Sequence, residues 1–292
     1  MGKGGWSIIV HGGAKSILAD EAAAHRAGCA RAAAAGADIL ARGGSAVDAA
    51  RCAVTLLEND PTFNAGHGSV ANAAGDIEMD AGIMDGATLA IGAVASVNRI
   101  ANPIEAAAAM LEAPPILLVG KGAERFAWKQ GLSCVPPRPT LPRRTASGHD
   151  TVGCVARDQA GHIAAATSTG GLAGTLPGRI GDAPLPGCGF YADDAIGGVS
   201  LSGDGEAIAR TLLGARVIRA MEDRPAAEAV GDIDAPMLRL AAEAGVIAID
   251  AAGRIGAAHN SENFAFALAS SDRPGVIAVI HQDELKAIFS HD

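Results

Sequence analysis

The segment richest in chemistry is Gly148-His149-Asp150-Thr151-Val152-Gly153, where a run with nothing to pack meets an apolar run that opens on a hydroxyl side chain. Attack of Thr151 Oγ on the carbonyl of Asp150 would give an ester, and its hydrolysis would free the Thr151 α-amino group. That amine has an ordinary pKa of about 8, which suits a general base near neutral pH. One residue then supplies both nucleophile and base. The same position also accommodates an ordinary β-branched residue beginning a strand.

Further polar motifs follow in Thr167-Ser168-Thr169-Gly170-Gly171, Gly178-Arg179-Ile180-Gly181-Asp182, Tyr191-Ala192-Asp193-Asp194 and Ser200-Leu201-Ser202-Gly203-Asp204-Gly205-Glu206. Upstream stand Val10-His11-Gly12-Gly13-Ala14, Asn64-Ala65-Gly66 and Met84-Asp85-Gly86. In this order and spacing, over nearly the whole chain, they resemble the plant-type L-asparaginase and isoaspartyl peptidase family of N-terminal-nucleophile (Ntn) hydrolases, relatives of glycosylasparaginase.

The resemblance implies cleavage between Asp150 and Thr151, Thr151 as catalytic nucleophile and Thr169 hydrogen-bonded to it. It implies that Arg179 clamps a substrate α-carboxylate and Asp182 its α-ammonium group. A planar guanidinium suits bidentate carboxylate binding, although Arg179 and Asp182 pairing with each other is the bland alternative. The family's oxyanion hole falls on Ser202 and Gly203. Ser202 stands where the family has threonine; it keeps the O–H donor and loses the β-methyl that stiffens χ1. Asp204 replaces another usual threonine, and its charge would oppose an oxyanion if turned inward. Backbone carbonyls of Leu57, Glu58, Asp60, Phe63, Ala65 and His67 are implied ligands of sodium or potassium, hard ions that prefer oxygen. His11 and His67 are read as structural.

The implied fold is α+β, a four-layer αββα sandwich. Residues 1–292 would form one domain, processed into a 1–150 α-subunit and a 151–292 β-subunit that assemble as a dimer of αβ protomers. The implied reaction is hydrolysis of β-aspartyl dipeptides and of the L-asparagine side-chain amide. Two rivals share the fold: a glycosylasparaginase-like amidase, suggested by His149-Asp150-Thr151 and the loop with Pro186, and an idle aspartate-binding homologue whose hole Ser202 and Asp204 have spoiled.

These residues need elements to hold them. Trp6 to Val10 reads as a buried strand stopped by Gly12-Gly13, followed by an alanine-rich helix from about Asp20 to Arg42 and a second helix capped by Ser45 with Asp48. Asn59 to Gly68 is turn-rich. Hairpins are expected around Asp85-Gly86 and Gln159-Ala160-Gly161, a helix over Asn102 to Glu112 and a strand over Ile116 to Val119. Gly120-Lys121-Gly122 resembles a dinucleotide turn, but Arg125 stands where the third glycine belongs, so a strand-to-helix turn is preferred. Residues 133–148, with Pro136, Pro137, Pro139 and Pro142 among arginines, form a flexible linker shorter than the family's usual tail. Beyond it, strands are expected over Gly197 to Ser202, Val246 to Asp250, Ile255 to Ala258 and Val276 to Ile280, with one helix over Gly205 to Glu222.

A net charge of -9, with two Trp, one Tyr and six Phe in 292 residues, provides neither a basic groove nor a stacking platform, so nucleic acid is an unexpected partner. No apolar stretch approaches the roughly 20 residues that cross a bilayer, and the N-terminal run is short for a signal core. Cys29, Cys52, Cys134, Cys154 and Cys188 lack metal-ligand spacing and fit reduced thiols in a cytoplasm.

Overall fold

The computed structural model describes residues 4–134, 148–149 and 151–289. Strand β1 (Ser7–Lys15) does not stop at the glycines but continues through Gly12-Gly13, because neighbouring strands pair with both its edges and only a bulge between His11 and Ala14 marks the irregularity. Gly12 lies under the ring of Phe63, where a Cβ would come within 2.3 Å of a ring carbon. Helix α1 (Ala22–Ala41) packs closely through its small residues. Helix α2 (Ala46–Asn59) is capped as expected, Ser45 Oγ accepting from Asp48 N–H at 3.0 Å. Strands β2 (Met79–Asp85) and β3 (Ala90–Val97) form the first hairpin. Helix α3 (Pro103–Ala109) ends in a 3-10 turn, and β4 (Leu117–Val119) leads directly into α4 (Gly120–Lys129), the strand-to-helix turn preferred above.

The linker is narrower than 133–148. Ser133 C=O accepts from Ala101 N–H at 3.2 Å, Cys134 bridges to Ile100, and Gly148 pairs with Lys15 as part of β5 (Gly148–His149). Its remainder, 135–147, lies outside the described residues, as does Asp150.

The second half begins with β6 (Val152–Arg157) and β7 (Ile163–Thr169), the second expected hairpin, then β8 (Phe190–Asp193) and β9 (Gly197–Gly203). The single helix expected over Gly205 to Glu222 is two, α5 (Gly205–Thr211) and α6 (Leu213–Met221), broken at Leu212, which is left-handed with φ 49°. Short helices α7 (Ala226–Ala229) and α8 (Asp234–Leu240) follow. Strands β10 (Ala244–Asp250), β11 (Ile255–His259), β12 (Asn263–Ser270) and β13 (Arg273–Val279) precede the last helix, α9 (Gln282–Phe289).

Among the described residues the strands make two sheets. The larger runs β13-β12-β1-β6-β7-β2-β3-β4 with β5 beside β1, and the smaller runs β11-β10-β9-β8. Neighbours are antiparallel apart from β3 and β4, which are parallel, so the large sheet is mixed at one edge. The sheets face each other across Ile9, Val155, Phe190, Ile247, Phe264 and Phe266. Helices α1 to α4 cover the far face of the large sheet over Ile8, Val10, Val54, Leu57 and Ile104. Helices α5 to α8 belong to the layer over the small sheet, where Val199, Leu201, Leu213, Val217 and Met237 pack. This is the expected α+β, four-layer αββα sandwich.

The two-residue period of a strand places the site. On β9, Val199 and Leu201 point to the helices, whereas Ser200 and Ser202 point between the sheets. Burial of such hydroxyls requires partners, and both have them.

Candidate active site

Thr151, immediately before β6, is 6% exposed. It shares a small cleft with Thr169 at the end of β7, Gly203 at the end of β9, and Arg179 and Asp182 from the loop between β7 and β8. Gly171, Leu172, Gly181 and Ala183 complete the wall. Five of the expected catalytic and binding residues therefore meet from three strand ends and one loop. A larger groove of about 770 Å³, lined by Arg99, Lys121, Arg125, Trp128 and neighbours at α4, holds none of them.

Thr169 Oγ1 accepts from Gly171 N–H at 3.2 Å, which fixes the hydroxyl over the glycine turn. The turn itself is pinned by Asn64, whose Nδ2 donates to Gly171 C=O at 2.7 Å and whose C=O accepts from Gly170 N–H. Gly170 has to be glycine, since a Cβ there would lie 2.5 Å from Asn64 Oδ1 and Ser69 Oγ.

Ser202 is fully buried, and its Oγ accepts from Ala14 N–H at 3.1 Å. Gly203 follows with φ 152°, and a Cβ there would lie 2.3 Å from Glu243 C=O. Asp204 does not turn inward: it caps α5, Oδ1 accepting from Ala207 N–H at 3.1 Å, and a charge satisfied at a helix N-terminus is directed away from the cleft.

Arg179 pairs not with Asp182 but with Glu206, through Nε to Oε1 at 2.8 Å and Nη2 to Oε2 at 2.6 Å. Asp182 is buried with Oδ2 lacking a partner among the described residues. Burial raises its pKa to about 7, against a hydrogen bond to its own backbone and the pull of Arg179. A buried carboxylate oxygen with no donor, beside a cleft, is suited to receive an ammonium group. Asp80, on β2 opposite Thr169, is likewise raised to about 7 by burial, opposed by the Ser96 N–H bond at 2.8 Å and by Arg179.

His11 is fully buried, its Nε2 within 2.9 Å of Ser200 Oγ. Desolvation lowers its pKa to about 3, with a backbone hydrogen bond to Thr151 working in the opposite direction. It is a neutral spacer between the sheets, in keeping with a structural role. Gly153 makes that packing possible, because a Cβ there would lie 2.0 Å from Ser200 Oγ and 2.5 Å from His11 Nε2.

The 57–67 loop closes on itself: Leu57, Asp60 and Ala65 C=O accept from Asp60, Phe63 and Gly68 N–H, and Gly66, at φ 52°, packs against Glu58 C=O. Each of these carbonyls retains a second lone pair, so the donor type fits a hard alkali ion. Glu58 adds a buried carboxylate that accepts from Ser168 Oγ at 2.7 Å and Ile104 N–H at 2.9 Å. No cluster of three or more His, Cys, Asp or Glu suited to a metal occurs among the described residues.

Sequence reasoning assigned no role to Glu206 or Asp80. Glu206 lies inside a quoted motif, but its partner is 27 residues away across a loop, which no local pattern reveals.

Residues 4–146 and 137–279 match the family model described as Asparaginase. An isoaspartyl peptidase/L-asparaginase of Mus musculus is 48% identical over 226 residues, covering 70% of this chain and 69% of its own. One of Xenopus laevis is 39% identical over 286 residues, covering 91% and 93%. An isoaspartyl peptidase of Salmonella typhimurium is 41% identical over 255 residues, covering 78% and 82%.

Proposed function

The chain belongs to the asparaginase family, and from that premise we propose that it hydrolyses β-aspartyl (isoaspartyl) dipeptides and the side-chain amide of L-asparagine with Thr151 as nucleophile. The observation that carries the reading is the convergence of Thr151, Thr169, Arg179, Asp182 and Gly203 on one cleft.

Activation comes first. Thr151 Oγ attacks the Asp150 carbonyl carbon, the peptide C–N bond breaks as the nitrogen takes a proton, and water opens the ester. The products are an Asp150 carboxylate ending the 1–150 subunit and a free α-amine beginning the 151–292 subunit. In turnover that amine takes the Oγ proton while Oγ attacks the β-carbonyl carbon of the substrate. Ser202 O–H and Gly203 N–H face the developing oxyanion. Ammonia or an amino acid leaves with the proton, and water, deprotonated by the same amine, releases aspartate and restores Thr151. Arg179 and Asp182 read the α-carboxylate and α-ammonium groups, so the cleft favours substrates with an intact amino-acid head.

Four subsidiary proposals accompany this reading. An alkali-metal ion sits on the carbonyls of Leu57, Glu58, Asp60, Phe63, Ala65 and His67, stiffening the loop whose Asn64 pins the Thr169 turn. The chain is one domain, and the processed protomer pairs with a second copy. The location is cytoplasmic: Cys29, Cys52, Cys134, Cys154 and Cys188 are free thiols, and among the described residues no helix is long and apolar enough to cross a membrane. The partner is a small molecule, not nucleic acid.

The test joins intact mass to turnover. Two chains meeting at Asp150-Thr151, together with hydrolysis of a β-aspartyl dipeptide, are expected; turnover by a chain that never splits would overturn the mechanism.

A further inference from the structure

The clamp that reads the α-carboxylate is itself held by an acid. Arg179 spends the edge of its guanidinium formed by Nε and Nη2 on the two oxygens of Glu206, and the Nη1 side lies outside that pair. A guanidinium presents two forked edges to carboxylates, one through Nε and one through its two terminal nitrogens, so filling the first leaves the second aimable. The plane of the group is confined as well. A Cβ on Gly181 would lie 2.9 Å from Nη1, and one on Gly205 would lie 3.1 Å from Nη2, so the guanidinium rests across two glycines. Glu206 is rigidly based: it lies in the first turn of α5, whose start Asp204 caps. Arg179 is 15% exposed at its side chain and Glu206 57%, so the pair runs from the cleft wall outward.

We propose that Glu206 is the positioning residue of the substrate clamp: it grips the Nε/Nη2 edge of Arg179 so that the Nη1/Nη2 edge is presented to the α-carboxylate of the substrate. This rests on the reading of Arg179 as that clamp. The arrangement also sets charge selectivity. Asp182 and Asp80 stand near the same guanidinium, so with Glu206 three carboxyl groups surround one cation. A carboxylate without an accompanying ammonium group meets uncompensated acid, whereas an amino-acid head brings its own positive charge to Asp182. Glu206 therefore favours substrates with a free α-amine over deaminated analogues.

The experiment compares Glu206→Ala, Glu206→Gln and Arg179→Ala on L-asparagine, a β-aspartyl dipeptide and β-alaninamide, which is asparagine without its α-carboxylate. Rates are referred to the fraction of chain cleaved after Asp150. Glu206→Ala is expected to raise KM for the two carboxylate substrates about 10-fold with kcat changed less than 3-fold, to leave β-alaninamide turnover unmoved, and to add nothing in an Arg179→Ala background. Glu206→Gln, which retains one acceptor, falls between. An unchanged or lowered KM in Glu206→Ala, or an equal loss on β-alaninamide, overturns the assignment. If Arg179→Ala lowers kcat/KM for asparagine and β-alaninamide by the same factor, the clamp reading itself falls, which is a different outcome.

Discussion

The Ala14 N–H donates to the Ser202 hydroxyl at 3.1 Å, tying β1 to the next-to-last residue of β9 in the opposite sheet. With a lone pair so engaged, Ser202 Oγ has its position set from across the sheet interface, which offsets the χ1 freedom gained with the missing β-methyl. In the proposed reaction its O–H is the donor to the oxyanion. Ser202→Ala should lower kcat by about 10²-fold with KM little changed, since the donor acts on charge that develops only in the transition state. Steady-state kinetics per cleaved protomer decide it; a change confined to KM would contradict the assignment.

Thr151→Ala should abolish both self-cleavage and turnover, because the same Oγ performs both attacks. Thr151→Ser should retain cleavage at a reduced rate. Intact mass followed over days gives the answer, and hydrolysis by an uncleaved Thr151→Ala chain would be incompatible with the mechanism.

Asp182 carries a pH signature. Its folded pKa, about 7, exceeds the unfolded value of about 3.9, so between about pH 4 and pH 7 the native state holds more protons than the unfolded chain. The slope of unfolding free energy with pH is then negative, and the site loses stability as pH rises through that window. Asp182→Asn removes the penalty. Its melting temperature relative to the parent should therefore increase from pH 4.5 to pH 7.5, while binding of L-aspartate is lost at either pH. Parallel melting curves at the two pH values would show that Asp182 is ionised at no cost in the fold.

Much of this site was visible in residue types. Ser45 with Asp48, the glycine-marked hairpins and a threonine opening an apolar run are local signals, and each has a local physical cause. What stayed hidden is long-range. Gly12-Gly13 looks like a strand end until Phe63 and the two flanking strands claim the backbone. Strand β12, Asn263–Ser270, has no alternation because it is buried on both faces. The Arg179–Glu206 pair joins a loop to a helix start, and Asp80 reaches Thr169 only through strand pairing.

The break at Leu212 was also hidden, and it yields the last prediction. Nothing in Thr211-Leu212-Leu213 signals a helix end, yet Leu212 sits at φ 49° and ψ 49° and is 58% exposed. A left-handed β-carbon costs roughly 1 kcal/mol, while an exposed leucine recovers little from burial. The break has a purpose in the packing: it lets Leu213 and Val217 turn into the core over the small sheet while α5 keeps Glu206 at the cleft. Leu212→Gly removes the steric cost but adds backbone freedom to the unfolded chain, worth a comparable fraction of a kcal/mol in the other direction. Because the strain term is the larger at this φ, Leu212→Gly should be neutral to slightly stabilising with kcat/KM unaltered. Leu212→Val, which places a β-branched side chain at the same φ, should destabilise by more than 1 kcal/mol. Urea denaturation of the two variants separates the effects; a Val variant as stable as the parent would mean the helix runs on through 212 in solution.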